Sequence, residues 1–227
     1  EERYEPEDPE LERRLLADPR PKVFVTGHLG SWETVALMSA IRSGSGGAAI
    51  ARKVDNPFVD ALVRWSRLRE SSQWIEKQGA VPEALARLRG GGSVALLADE
   101  NGGWRGPFVD FFGRPASTRK TAALLSLVTG APIVVGAAVR RPGRSRLLVR
   151  LAFLPPPEGR RATPDDVLAL TREIARIFEG WIREDPLQWR WIHHRWKSRP
   201  DGTEESYTRR DLRAAFAESS FTIEGRR

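Results

Sequence analysis

Val23-Phe24-Val25-Thr26-Gly27-His28-Leu29-Gly30-Ser31-Trp32-Glu33 decides how the chain folds. The apolar run at its start predicts a buried strand ending in a loop. Gly27 and Gly30 allow a tight backbone path through that loop. A helix then begins near Ser31 and runs to about Arg42, with Val35, Leu37, Met38 and Ile41 as its apolar positions. Strand, loop and helix in succession form the unit of a layered α/β protein.

The same alternation continues outward. Residues 48–51 predict a short strand, and Asn56-Pro57 caps and opens a helix carrying Phe58, Leu62 and Trp65. Residues 73–75 predict an edge strand and residues 82–88 a short helix stopped by Gly90-Gly91-Gly92. Residues 94–98 form the clearest buried strand, which runs into Asp99-Glu100-Asn101-Gly102-Gly103. Thr118 is the expected cap of a helix holding Leu124, Leu125 and Val128, with Gly130 just past its end. Residues 133–139 and 147–153 predict strands joined by the turn at Pro142-Gly143. Thr163-Pro164-Asp165-Asp166 starts a long helix that Pro186 ends. The fold class is therefore α/β, with a sheet flanked by helices. In such sheets chemistry gathers where strands end in loops, which singles out the loops after Val25 and Ala98.

Three regions follow. Residues 1–20, acidic and with Pro6, Pro9 and Pro19, read as a linker with one short helix around Leu11, Leu15 and Leu16. Residues 21–200 form the main domain, and residues 201–227 a polar tail. The whole is 227 residues long, enough for one domain with a sizeable core.

Lys and Arg number 37 against 30 Asp and Glu, a net charge of +7 with a pI near 10.4. Such a surplus suits an anionic partner: nucleic acid, a phospholipid surface or a phosphorylated substrate. A well-solvated basic surface explains it equally. With no cysteine, disulfides, thiolate zinc sites and a cysteine nucleophile are excluded. Mean hydropathy is −0.44, and the longest apolar candidate, residues 124–139, is broken by Thr129, Gly130 and Pro132. It is too interrupted to span a membrane, which takes roughly 20 apolar residues.

His28 is one of three histidines, and Glu33 falls in the first turn of the helix after it. A bend between loop and helix lets the imidazole fold back onto that carboxylate. One ring nitrogen is then fixed as donor and the other left as base. The alternative is a loop histidine beside a helix-capping Glu. Arg52, after a short strand, can grip phosphate bidentately or make a surface ion pair. Asn56 caps a helix or touches substrate. Asp99 binds substrate or hydrogen-bonds loop amides. Thr118, Arg119 and Lys120 could receive a phosphate at a helix start, although capping accounts for Thr118. Phe111 and Phe112 line a substrate channel or fill core. His193 and His194 are adjacent, point apart and read as structural, and no metal site is expected. Trp181, Trp189, Trp191 and Trp196 cluster with Arg190, Arg195 and Lys197, as at a membrane interface or in a packed cap.

Gly27-His28-Leu29-Gly30-Ser31-Trp32-Glu33 resembles the His-x4-Asp/Glu block of glycerolipid acyltransferases, and most of all the bacterial lipid A biosynthesis acyltransferase family, with its Gly-His-x-Gly-Asn-Trp-Glu. Later blocks agree in order. Arg52 to Pro57 resembles the second, with its Arg and Asn; Asp99 resembles the Asp that opens the third. Phe111-Phe112-Gly113-Arg114-Pro115-Ala116-Ser117-Thr118 resembles Phe-Phe-Gly-x-Pro-Ala-x-Thr, and Trp191 to Lys197 resembles the closing Trp-x-His-x-Arg-aromatic-Lys. The departures are Ser31 for the usual Asn and Glu100 for the usual Gln.

The resemblance spans residues 21–200 and implies a central mixed sheet flanked by helices. It implies transfer of a fatty acyl group from a thioester to a hydroxyl of a glycolipid, here a lipid A precursor, with an acylated mannoside of phosphatidylinositol as the alternative acceptor. His28 would be the base and Glu33 its orienting partner. Arg52, Asn56, Asp99, Phe112, Gly113, Arg114 and Thr118 would meet substrate. No cofactor is implied beyond the co-substrate, acyl carrier protein or acyl-CoA. The expected setting is the cytoplasmic face of the inner membrane, on an anionic lipid surface. Attachment would be peripheral for this chain, with an anchor in a preceding segment. A basic nucleic-acid-binding module is the competing class, but no nucleic-acid motif is present and none is expected to bind.

The chemistry fits on its own terms. A thiolate leaves readily near neutral pH, so the reaction needs a base for the attacking hydroxyl and no acid. A histidine oriented by one carboxylate suffices, without a covalent intermediate.

Overall fold

A computed structural model describes residues 4–33, 47–52, 56–58, 60–61, 73–156 and 162–204. Its centre is a seven-stranded mixed sheet. The strands are β1 (Tyr4–Pro6), β2 (Val23–Thr26), β3 (Gly47–Ala51), β4 (Gln73–Glu76), β5 (Ser93–Leu97), β8 (Ile133–Arg140) and β9 (Leu147–Leu154), in the spatial order β1-β9-β8-β2-β5-β3-β4. Between them in sequence, β6 (Phe108–Phe111) and β7 (Arg114–Ser117) form a separate antiparallel hairpin. In the main sheet β8 and β9 pair antiparallel, and every other pair is parallel. The described helices are α1 (Pro9–Ala17), α2 (Ala80–Arg89), α3 (Thr121–Thr129) and α4 (Pro164–Glu184).

Parallel strands buried on both faces must be apolar throughout. Accordingly Val23, Val25, Val94, Ile133, Val135, Ala137 and Val139 are all within 1% of complete burial. The helix α4 begins where its sequence demands. Thr163 accepts the N–H of Asp166, Pro164 fills the first turn, and Asp165 and Asp166 face the positive helix end. Leu170, Ile174, Phe178 and Ile182 recur every four residues and are buried as one stripe. Removing each from water contributes roughly 1.5–3 kcal/mol. At the helix end the chain passes Pro186, which starts a single 3-10 turn.

Several expectations change. The segment expected to be a linker does contain the helix α1, but residues 4–6 join the sheet as its edge strand, paired with β9. Buried Arg150 on β9 explains the docking. Its guanidinium meets Glu7 at 3.1 Å, Glu184 at 2.5 Å and Asp185 at 3.4 Å, tying this segment to the end of α4. The hairpin β6–β7 was not expected either. Its turn is carried by Phe112, at φ 57°, and Gly113, at φ 74°, which the sequence disguises as a continuous motif. Thr118 does not cap α3, which starts at Thr121 after an uncapped Lys120. The helix expected over 31–42 starts at Trp32 and beyond Glu33 lies outside the described residues. The helix opened by Pro57 is described only at 57, 58, 60 and 61.

Candidate active site

The parallel register builds the site. On β2 and β5 Val23 pairs with Val94 and Thr26 with Leu97, a constant offset. Continued past the strand ends, that offset sets His28 beside Asp99. Ala98 still bonds the carbonyl of Thr26 at 3.0 Å, so the two chains separate only there. Gly27 is required at this point, because a Cβ would lie 2.9 Å from the Asp99 carboxyl carbon. Gly30 is required as well: φ is +61°, and a Cβ would lie 2.1 Å from the carbonyl oxygen of Ala138. Ser31 donates its N–H to that same oxygen at 2.7 Å.

Asp99 is 5% exposed and accepts three hydrogen bonds. The His28 backbone N–H donates at 2.7 Å, His28 Nδ1 at 3.0 Å, and the Trp189 indole N–H at 2.9 Å. Burial acts to raise the Asp99 carboxyl. The hydrogen bonds and charge of His28, with the indole of Trp189, outweigh burial and hold it below the usual carboxylate range. A carboxylate only accepts, so Nδ1 carries the imidazole proton and Nε2 presents its lone pair.

The expected partner of His28 was Glu33; at Nδ1 the structure places Asp99. Nδ1 has one proton, and it points at Asp99. Glu33 is exposed in the first turn of the helix that begins at Trp32, where the helix N-terminus favours a carboxylate. Register explains the Asp99 contact: adjacent parallel strands deliver it directly beside His28.

The other expected residues divide. Arg52 leaves β3 at the same end of the sheet and is exposed. Exposed Asn56 accepts the N–H of Phe58 at 3.0 Å, the capping role. Phe112 stands at the hairpin turn, with its ring 6.0 Å from that of Trp191. Its N–H donates to Glu179 at 2.9 Å, and its ring rests under Arg183 at 4.7 Å. Gly113 donates to Asp110, and exposed Arg114 lies over Trp196 at 5.3 Å. Phe111 is core. Thr118, 2% exposed, holds Arg195 rather than solvent or a helix end.

Arg195 itself is 1% exposed, which removes it from any membrane-facing set. It donates to the carbonyl of Ser117 at 2.6 Å and to Thr118 Oγ1 at 2.5 Å, and lies over the Phe111 ring at 4.8 Å. Burial pulls its guanidinium down to about 10, with Asp99 opposing. His193 is structural, as expected: its Nε2 accepts the Asn101 N–H at 3.0 Å. Burial lowers the proton affinity of its imidazole, consistent with that neutral acceptor role.

Three charged groups meet beside His28: Glu100, noted in the sequence only as a departure, Arg119, read there as a possible phosphate contact, and Lys77, which went unassigned. Glu100 Oε1 lies 3.8 Å from His28 Nε2. Its Oε2 lies 3.5 Å from Arg119 and 3.9 Å from Lys77. Lys77 follows β4 directly, as Arg52 follows β3, so spacing from strand ends could have found it. Among the described residues, no group of three or more His, Asp or Glu could hold a metal ion, and no helix is long and apolar enough to cross a membrane.

A model of the bacterial lipid A biosynthesis acyltransferases matches residues 2–198. The chain is 30% identical over 166 residues to a lipid A biosynthesis lauroyltransferase of Escherichia coli (strain K12), covering 71% of this chain and 52% of that protein. It is 28% identical over 157 residues to a palmitoleoyltransferase of lipid A biosynthesis from the same organism, covering 66% and 49%. A lipid A biosynthesis acyltransferase of Shigella flexneri matches to the same extent. The chain spans about half the length of these relatives.

Proposed function

Because the chain belongs to the bacterial lipid A biosynthesis acyltransferase family, we propose that it moves a fatty acyl group from an acyl thioester to a hydroxyl of a lipid A precursor. The observation that carries the mechanism is the Asp99 carboxylate on His28 Nδ1. It supports a base whose tautomer is fixed and whose Nε2 is available to the acceptor hydroxyl. As Nε2 takes the proton, the alkoxide oxygen attacks the thioester carbonyl and the thiolate leaves. Asp99 stabilises the imidazolium that forms. Positioned proton transfer of this kind typically supplies on the order of 10²–10⁴ in rate. Acyl carrier protein or coenzyme A would carry the thioester, and the reaction would take place at a membrane surface.

The test is acyl transfer from each thioester to a purified lipid A precursor, with His28→Ala, Asp99→Asn and Glu33→Gln beside wild type. His28→Ala should abolish turnover with the fold intact. Asp99→Asn should lose on the order of 10²–10⁴, because an amide no longer dictates the tautomer. Its loss should equal or exceed that of Glu33→Gln. Wild-type turnover by His28→Ala would refute the assignment. A Glu33→Gln loss far above that of Asp99→Asn would return the orienting role to Glu33.

A further inference from the structure

We propose that Glu100 is a tethered stand-in for a phosphoryl group, and that a phosphate of the substrate displaces it from Lys77 and Arg119 at the mouth of the site.

The carboxylate bridges two kinds of neighbour. One oxygen is 3.8 Å from His28 Nε2, and the other lies between Arg119 at 3.5 Å and Lys77 at 3.9 Å. None of these separations is a tight hydrogen bond, so the carboxylate is held by charge and can be exchanged. Arg119 and Lys77 are partly buried, with side chains 31% and 40% exposed. They lose part of their hydration whether or not an anion is present, which favours a well-placed anionic ligand.

The cations also crowd one another. Burial, and then the nearby Arg119 and Arg52, push the Lys77 ammonium below its ordinary value against the pull of Glu100. Two cations share one carboxylate, and with Glu100 withdrawn they present two positive charges. A phosphomonoester carries about −1.5 to −2 near pH 7 and offers three acceptor oxygens. It fits both the charge and the geometry better than the single carboxylate. Arg119 adds a forked donor, and Lys77 a point charge, the usual division of labour at phosphate.

The placement has a chemical consequence. While Glu100 lies beside Nε2 it occupies the approach that an attacking hydroxyl needs. A phosphate that takes over Lys77 and Arg119 frees Glu100 to leave, and the base opens only when a phosphorylated molecule is seated. This deepens the acyl-transfer reading and rests on it for the reaction, but phosphate binding is measurable without any transfer.

Titration of the full chain with inorganic phosphate by calorimetry tests the site. Wild type should bind weakly. Lys77→Ala and Arg119→Ala should each weaken binding by roughly tenfold, the effect of losing one charge-assisted contact. Glu100→Gln, which removes the competing charge and keeps the shape, should tighten binding several-fold. Calorimetry reads phosphate binding without any turnover, so failure of the transfer reading stays distinguishable. Unchanged or weaker phosphate binding by Glu100→Gln overturns the proposal, as does wild-type binding by both cation variants or no binding by any form. Kinetics then locate the phosphate. In Lys77→Ala, a higher KM for a phosphorylated acceptor but not for its dephosphorylated counterpart places it on the acceptor. A higher KM for the thioester alone places it on the donor. Unchanged KM for all three substrates overturns the proposal.

Discussion

Trp189 donates its indole N–H to the Asp99 carboxylate at 2.9 Å, across 90 residues of sequence. The bond is buried, and it reaches the oxygen that also accepts the His28 amide. Trp189→Phe keeps an aromatic side chain, smaller than the indole, and removes the donor. It should destabilise the fold by about 1–3 kcal/mol, since a buried acceptor loses a partner. Turnover should fall while KM for both substrates changes little. Thermal unfolding and steady-state kinetics check it together, and unchanged values of both would reduce this bond to a bystander.

Asp99 also sets an acid limit on stability. Its folded pKa lies below the unfolded value, so between the two the unfolded chain binds the extra proton. Its stabilising contribution is complete above the unfolded pKa near 4 and is lost as pH falls through the folded one. Urea midpoints measured from about pH 6 to about pH 3 should fall more steeply in wild type than in Asp99→Asn. Parallel curves would show that the carboxylate contributes nothing to that slope.

Arg195 is predicted to matter for folding more than for chemistry. Its planar fork joins Ser117 and Thr118 on the hairpin side to the closing segment, over the Phe111 ring. Arg195→Ala should cost about 3 kcal/mol through lost charge-assisted bonds and the void left behind. Arg195→Lys should not rescue it, because an ammonium cannot reproduce the fork. A melting temperature restored by lysine would show that charge alone is used.

The loop after α4 should touch lipid. Leu187 is 95% exposed and Ile192 81% exposed, with exposed Trp191 and Arg190 between them. Apolar tips beside a cation suit the boundary of an anionic bilayer. The buried Arg195 is no part of this surface. Leu187→Asp with Ile192→Asp should reduce sedimentation with vesicles containing phosphatidylglycerol, and salt should release the wild type. Equal sedimentation of variant and wild type would place the lipid contact elsewhere.

Local patterns made much of the sheet legible. The apolar runs at β2, β5, β8 and β9 and the Thr163-Pro164 start of α4 are short-range signals, and each element forms within a few residues of its expected place. The strand β1 carries no such signal, because polar Tyr4-Glu5-Pro6 joins the sheet through its backbone and through Arg150 on a distant strand. In the site, His28 and Asp99 stood out as chemistry-bearing residues at strand ends, but their partnership did not. It depends on β2 lying next to β5, a matter of topology that no spacing within either loop encodes. Glu33 drew attention because it is near in sequence, and Lys77 escaped it because its neighbours are distant in sequence.

The loop that covers His28 is attached by main chain. Arg190 gives its backbone N–H to the His28 carbonyl at 3.0 Å, and Gly30 gives its own to the Gln188 carbonyl at 2.9 Å. Neither bond involves a side chain. Exposed Leu187, Arg190 and Ile192 can therefore change their side chains without unfastening His28, whereas Trp189 and Gln188 are held by side-chain bonds of their own. Proline at 190 is the exception, since it has no N–H to give. Attachment by backbone separates two demands that selection would otherwise press on the same residues: main-chain atoms hold His28 in place, and the exposed side chains are left free to vary with whatever surface they meet.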